Sequence, residues 1–297
     1  MIRVLSVIIS LLCVMTVFGS TKRALLIGLS EYVRHADARL DWPSVHGADD
    51  ARMLASTLRR QGFITTTLTD SYAKAAAVRK ALKELAAATR DGDMVFVLFS
   101  GHGQPVEDTS GDEADGWDEA LVPYDAGARY VPNVYTGECH IADDELCGYV
   151  TQIRRKAGPR GYVYMVVDAC HAGGVSRGEE DDSDRFSSDS TFVRGTTIGL
   201  SRTSRPYVPR IDTRSVFSIA KGKGLSGVCY LEACRSYQTN SEIKADGAWH
   251  GPLSYYVNKV LSLLPLSADS SWTERVVMLM GRDRRLTRQN PVIEKSL

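Results

Sequence analysis

Residues 161–174 read GYVYMVVDACHAGG. From Tyr162 to Val167 the run is β-branched, aromatic or otherwise apolar, the composition of a strand buried on both faces of a parallel sheet. It stops at Asp168 and opens through Ala169, Cys170 and His171 into small residues. Open α/β sheets place their chemistry beyond the carboxyl ends of the strands, which is where this thiol falls. Gly173 and Gly174 allow a sharp turn and leave room for a substrate. Cys170 is therefore the candidate nucleophile.

Such a thiol needs a base. Residues 94–99, MVFVLF, form a second strand of the same kind and lead into Ser100, Gly101, His102 and Gly103. Sixty-eight residues separate His102 from Cys170, enough for one crossover and a loop. As parallel neighbours, the two strands would bring imidazole and thiol across one crevice. Either residue alone has a plainer account, because a buried cysteine is most often a small core hydrophobe. Their shared strand-to-glycine context is what joins them. A zinc hydrolase built on Cys170, His171 and His102 is a poor reading, since no further spaced pair of ligands accompanies them.

Around these strands the chain alternates. Arg23–Leu29 reads as a strand, a helix starts at Pro43 and Ser44 and stops at Gly62, and Phe63–Leu68 reads as a second strand. Residues Ser71–Thr89 are alanine-rich and helical, with Ala75, Val78, Leu82 and Leu85 on one stripe. This β-α-β-α-β order predicts an α/β fold with a mostly parallel central sheet and helices on both faces. Periodicity is lost from Pro105 to Ile141, and Asp143–Lys156 reads as a helix. The segment 174–214 is irregular and rich in Ser, Asp, Arg, Thr and Gly, as a surface loop would be. Val228–Ala233 reads as a strand, and Pro252–Leu264 and Ser271–Met280 as helices.

The chain has 297 residues with 36 Lys and Arg against 36 Asp and Glu. That balance gives no support to nucleic-acid binding by bulk charge, and the length suits one generous domain over residues 20–297. Residues 4–18 are an uncharged apolar run behind a short basic start. Fifteen residues are short for a bilayer span of about twenty and fit a signal-peptide core, with cleavage after Gly19. The protein is thus expected to be exported, periplasmic or secreted. The alternative is a membrane anchor at residues 4–18, and without it no stable membrane partner is expected. Beyond Cys13 there are five cysteines, at 139, 147, 170, 229 and 234. If Cys170 stays outside any bridge, Cys139 with Cys147 and Cys229 with Cys234 are the nearest-neighbour pairings. The second is disfavoured, because residues five apart on a strand point to opposite faces.

Ser-Gly-His-Gly at 100–103 and Asp-Ala-Cys-His-Ala-Gly at 168–173 resemble the two catalytic motifs of the caspase-like peptidases, peptidase family C14. The likeness is to the metacaspase branch, in a bacterial-type form with a signal peptide; the local cysteine signature of animal caspases is absent. Leu25–Gly28 followed by Gly47–Ala51, the acidic segment Asp115–Asp125, Ala142–Leu146, Glu232–Gln238 and Gln289–Pro291 also match, in the family's order. The resemblance implies a caspase-like (caspase–hemoglobinase) three-layer sandwich, with a short strand near Val292. It implies a cysteine endopeptidase working through a Cys170–His102 dyad, with an oxyanion held by the N–H groups of Gly103 and Cys170. No third residue orienting His102 is evident.

By the same resemblance Asp50, Ser100 and Asp168 line the pocket for the side chain before the cut. Ser100 and Asp168 each lie two residues before a catalytic residue, and strand residues two apart share a face. Two carboxylates in such a pocket favour a cation, so the expected substrates are proteins or peptides with Arg or Lys before the cut. Plainer roles for the aspartates are helix-dipole compensation at Asp50 and a structural cap at Asp168. The family's paired aspartates that bind an activating calcium match Asp143 and Asp144, although acids are also favoured at a helix amino end. No clear counterpart of its ligand after the catalytic cysteine is present: Arg177 stands there, and Glu179–Asp182 follow late. No cofactor is needed for the chemistry. Arg177, Arg185, Arg194, Arg202, Arg205, Arg210 and Arg214 are expected to be exposed candidate sites of self-processing. The enzyme is expected to be a monomer. The rival reading is a catalytically inactive caspase-like binding scaffold.

Overall fold

The computed structural model describes residues 20–111, 113, 115–170, 192–196, 198–208, 211, 214, 216–286 and 289–296. The expectations placed on the signal peptide (1–19), on His171, Arg177 and Glu179–Asp182, and on Arg185 and Arg210 lie outside them.

The three apolar runs form β1 (Lys22–Gly28), β3 (Met94–Ser100) and β7 (Tyr162–Asp168). With β2 (Ile64–Thr69), β8 (Val216–Ile219), β9 (Gly227–Glu232) and β12 (Val292–Ser296) they make one seven-stranded sheet, ordered β2-β1-β3-β7-β9-β12-β8. Neighbours from β2 to β9 are parallel, and β12 is antiparallel to β9. Alternate residues feed opposite faces, as the two-residue period of a strand requires. Val95, Val97 and Phe99 pack with α2 (Ala75–Ala88) and α3 (Asp143–Ala157). Phe96 and Leu98 pack with α1 (Gly47–Arg60), α4 (Pro252–Leu261) and α5 (Ser271–Arg282). The result is a three-layer α/β sandwich.

From β1 the chain goes by α1 to β2 on one side, then by α2 to β3 on the other. Strand order thus reverses between β1 and β3, which opens a crevice at their carboxyl ends. The Ser100↔Asp168 pairing brings the end of β7 level with the end of β3 beside that crevice. The start of α1 closes against it, and the contact admits only glycine at 47: an added Cβ would lie 2.1 Å from the Ser100 carbonyl oxygen and 2.7 Å from that of Leu29.

Some local expectations are corrected. The first helix begins at Gly47, not at Pro43 and Ser44, because 43–46 is tied elsewhere. The Val45 N–H donates to the Ser30 carbonyl, and the His46 N–H to Glu242. The aperiodic stretch from 105 to 141 carries a small second sheet, β4 (Gly103–Glu107), β5 (Trp117–Leu121) and β6 (Ile141–Ala142). A short hairpin, β10 (Ile243–Ala245) with β11 (Ala248–His250), was also hidden by its length. Neither nearest-neighbour disulfide forms among the described residues. Cys229 is buried under the β9 face with α4 and α5, whereas Cys234 lies past the strand end, its Sγ facing the Ala169 carbonyl. Cys147 is exposed on α3 and Cys139 half-buried. No helix of the described residues is long and apolar enough to cross a membrane.

Candidate active site

His102 follows β3 by two residues and is fully buried. Its ring stacks on Trp42 at 4.8 Å between centroids and is tilted on Tyr32 at 5.1 Å. Tyr32 Oη accepts the His102 backbone N–H at 2.8 Å. The Pro43 carbonyl lies 2.8 Å from Nε2. A carbonyl only accepts, so Nε2 carries the proton and Nδ1 keeps its lone pair. Nδ1 is buried without a hydrogen-bond partner. Burial pushes the imidazole down to about 4, so the ring is neutral near pH 7. The Pro43 carbonyl supplies the orienting third group that the sequence did not show; it acts through its backbone, which no side-chain pattern reveals.

Cys170 is buried two residues past the end of β7, and its Sγ faces the Gln238 carbonyl at 3.1 Å. Cys234 adjoins it: that thiol is raised by its contact with Cys170, then by burial, and reaches the same carbonyl at 3.5 Å. The backbone N–H groups of Cys170 and Gly103 converge on one acceptor, the Arg194 carbonyl oxygen, at 2.8 and 3.3 Å. That is a two-donor fork of the kind that receives an oxyanion.

Arg194 also fills the pocket. Its guanidinium is fully buried, contrary to the exposure expected of it. Nη2 donates to Asp50 Oδ2 at 2.7 Å and to Glu242 Oε1 at 2.7 Å, and Nε to Glu242 Oε1 at 3.0 Å. Nη1 donates to Ser100 Oγ and to the Asp168 carbonyl. Burial opposes the charge, but Asp168, Asp50 and Glu242 outweigh it and raise the guanidinium above its ordinary value. Asp50, Ser100 and Asp168 are thus together around one cation. The Asp168 carboxylate works at longer range, 3.8 Å from Nη1. Its oxygens accept from Asn240 Nδ2 and the Ser254 N–H, and burial, the largest influence, raises its pKa. Asp50 is held as well by His250, itself raised by that hydrogen bond. Glu242, Asn240 and His250 carry no sequence signal: the first two sit in a polar run before a short hairpin and the third ends it.

The backbone around Arg194 is paired on both sides. The Arg194 N–H donates to the Asn240 carbonyl at 3.0 Å, and the Glu242 N–H to the Phe192 carbonyl at 2.9 Å. Val193 bridges Ser241 in antiparallel sense, and Gly195 bridges Gly103 in parallel sense. Downstream, Leu200 continues beside Val106 of β4. Residues 192–195 therefore cross the site tied by single bridges to the backbone on either side, a β-type pairing of the kind that peptide binding can use.

Asp143 and Asp144 stand in the first turn of α3. Asp143 Oδ1 is buried without a hydrogen-bond partner, and burial with the nearby Asp144 and Glu113 charges pushes that carboxyl up to about 6. Glu119, raised by burial and by Asp143, and Glu232, pushed up to about 8 by burial and by Glu294 and Asp143, share the region. Among the described residues no three such side chains already form a metal-binding group.

A sheet that switches order, with a buried thiol and a buried imidazole each two residues beyond the ends of adjoining strands, is a caspase-like arrangement. Residues 21–255 match the model of peptidase family C14, the caspase domain, and the chain belongs to that family. Its relatives are of metacaspase type. It is 25% identical over 207 residues to metacaspase-1B of Aspergillus terreus, covering 63% of this chain and 52% of the relative. It is 24% identical over 279 residues to metacaspase-1 of Mycosarcoma maydis, covering 82% and 63%. Metacaspase-7 of Arabidopsis thaliana is 32% identical over 164 residues, covering 52% and 35%. The chain spans about half the length of the Aspergillus relatives it matches. Among solved structures, protein GSU0716 from Geobacter sulfurreducens aligns with TM-score 0.60 at 20% identity over 93% of each chain. Caspase-1 from Spodoptera frugiperda aligns with TM-score 0.54 at 14% identity over 94% of this chain and 91% of that one. Both share the fold.

Proposed function

We propose that the chain is an exported, monomeric cysteine endopeptidase that cleaves after arginine, and less readily after lysine, and that it cuts itself between Arg194 and Gly195. One observation carries the reading: the Arg194 carbonyl sits in the Gly103–Cys170 fork while its side chain fills an acidic pocket. Cys170 attacks that carbonyl carbon, and the negative charge on its oxygen is held by the two N–H groups. His102 Nδ1 takes the thiol proton and passes it to the Gly195 nitrogen as the Arg194–Gly195 C–N bond breaks. Water then splits the thioester and leaves a carboxylate on Arg194. The guanidinium engages Asp50 and Glu242 through two different nitrogens, Nη2 and Nε. A lysine ammonium offers its donors from one atom, hence the order Arg over Lys.

Calcium is proposed as an activator held by Asp143 and Asp144, with Glu119 nearby. The buried, unpartnered Asp143 Oδ1 among like charges fits a hard cation, whose bound charge would neutralise that acidic region.

The test is a panel of otherwise identical reporter peptides ending in Arg, Lys or Asp, given to the wild type and to Cys170→Ala. Rates ordered Arg, Lys, then Asp near zero, all abolished in Cys170→Ala, support the reading; faster cleavage after Asp overturns it. A calcium-specific rise in melting temperature, lost in Asp143→Asn, supports the cation site. Mature protein beginning at Ser20 supports export.

A further inference from the structure

The segment seated in the site also displays what its neighbouring positions accept. Phe192 and Arg194 are two apart and share a face, while Val193 between them points outward and is exposed. The Phe192 ring meets the His46 ring edge-on at 4.8 Å, interplanar angle 89°, and the Trp249 ring at 5.2 Å and 69°. His46 and Trp249 are themselves roughly parallel at 6.4 Å. These are favourable geometries for aromatic rings. Together they form an open-sided aromatic notch two residues upstream of the arginine pocket.

Glu242 ties the notch to the arginine pocket. Its Oε1 accepts from Arg194 and from the His46 backbone N–H at 2.7 Å, and its Oε2 lies 2.5 Å from His46 Nδ1. The carboxylate that recognises the arginine therefore also fixes the ring that lines the notch. After the cut the constraint is steric. A Cβ at residue 195 would lie 2.6 Å from the Cys170 carbonyl oxygen, 2.7 Å from Cys170 Cβ and 3.1 Å from the Gly103 carbonyl oxygen. Two of these neighbours are backbone atoms that cannot swing away. Only glycine fits there with the segment seated as it is.

We infer that His46 and Trp249 form a specificity subsite for an aromatic side chain, so that the preferred substrate reads aromatic–any–Arg, followed by glycine. This rests on the peptidase reading above and extends it in both directions from the arginine. Arginine supplies the charge recognition, the aromatic residue the apolar contact, and the exposed middle position imposes little.

Internally quenched peptides containing Phe-Val-Arg-Gly, Ala-Val-Arg-Gly and Phe-Val-Arg-Ala test it on the full-length enzyme. Phe over Ala at the first position is expected to raise kcat/KM on the order of tenfold, and Ala in place of Gly after the cut to lower it by at least as much. In Trp249→Ala the Phe-to-Ala ratio is expected to fall towards one. In the intact chain, Gly195→Ala is expected to slow self-cleavage. Equal rates for the Phe and Ala peptides in the wild type, or a ratio unchanged by Trp249→Ala, overturn this inference and leave the peptidase reading standing. Cleavage of none of the arginine peptides overturns the peptidase reading itself.

Discussion

Arg194 is the counter-ion of a buried acidic cluster, and its removal has a calculable cost. Consider Arg194→Ala in a Cys170→Ala background, which lacks the candidate nucleophile. The change leaves Asp50, Glu242 and Asp168 buried without the cation that faces them. Removing one partner of a buried ion pair costs about 3–5 kcal/mol, because the remaining charge is uncompensated. In a chain of this size each kcal/mol moves the melting temperature by about 2–4 °C, so a fall of roughly 6–20 °C is expected. Water entering the vacated pocket draws the result towards the lower end. The loss should be repaired from outside by agmatine, a small alkyl guanidinium, which returns about 2.7 kcal/mol when present at about a hundred times its dissociation constant. N-butylurea, uncharged and of similar length, should do nothing. Thermal melts of the single and double variants with each additive make the comparison. Melting temperatures equal to within about 2 °C, with no response to agmatine, would show that the pocket does not recognise a guanidinium.

Three further changes read other parts of the site. Tyr32→Phe removes the acceptor of the His102 N–H at 2.8 Å; it is expected to cost about 1–3 kcal/mol in denaturant melts and to lower kcat by loosening the imidazole. Gly47→Ala forces a Cβ to within 2.1 Å of the Ser100 carbonyl, so destabilisation of roughly 3 kcal/mol or more is expected, read as a lower denaturant midpoint with unchanged slope. Glu232 is pushed from its ordinary 4.5 up to about 8 by burial and by Glu294 and Asp143. Between those values the native state keeps a proton that the unfolded chain has lost. Stability therefore falls as pH rises from about 4.5 to about 8, with the penalty complete above 8 and absent below 4.5. Glu232→Gln should flatten the melting temperature across that window.

The central architecture was legible because its strands advertise themselves. Tyr162–Val167 and Met94–Phe99 are apolar on both faces, and only a parallel sheet covered by helices on each side can use such runs. The ends of those strands marked His102 and Cys170 by position, whereas Ser100 and Asp168 entered as pocket residues through the family resemblance. What stayed hidden has physical reasons. Pro43 contributes a carbonyl, which every residue has. Asn240 and Glu242 reach the pocket from the segment just before a hairpin, and His250 from its second strand, where strands of three residues are too short to show a period. Polar composition marked 174–214 as surface, and for Arg194 that was misleading. A guanidinium is expensive to bury alone but not when three carboxylates await it, and those carboxylates come from α1, β7 and the segment before β10. The small sheet of β4, β5 and β6 was likewise masked by acidic turns between short strands.

The most direct test follows the intact mass of freshly purified wild type and Cys170→Ala over time. The account predicts that the wild type, and not the variant, yields a fragment whose first residue is Gly195. A wild-type chain that stays whole, or a cut that appears elsewhere or persists in Cys170→Ala, would contradict it.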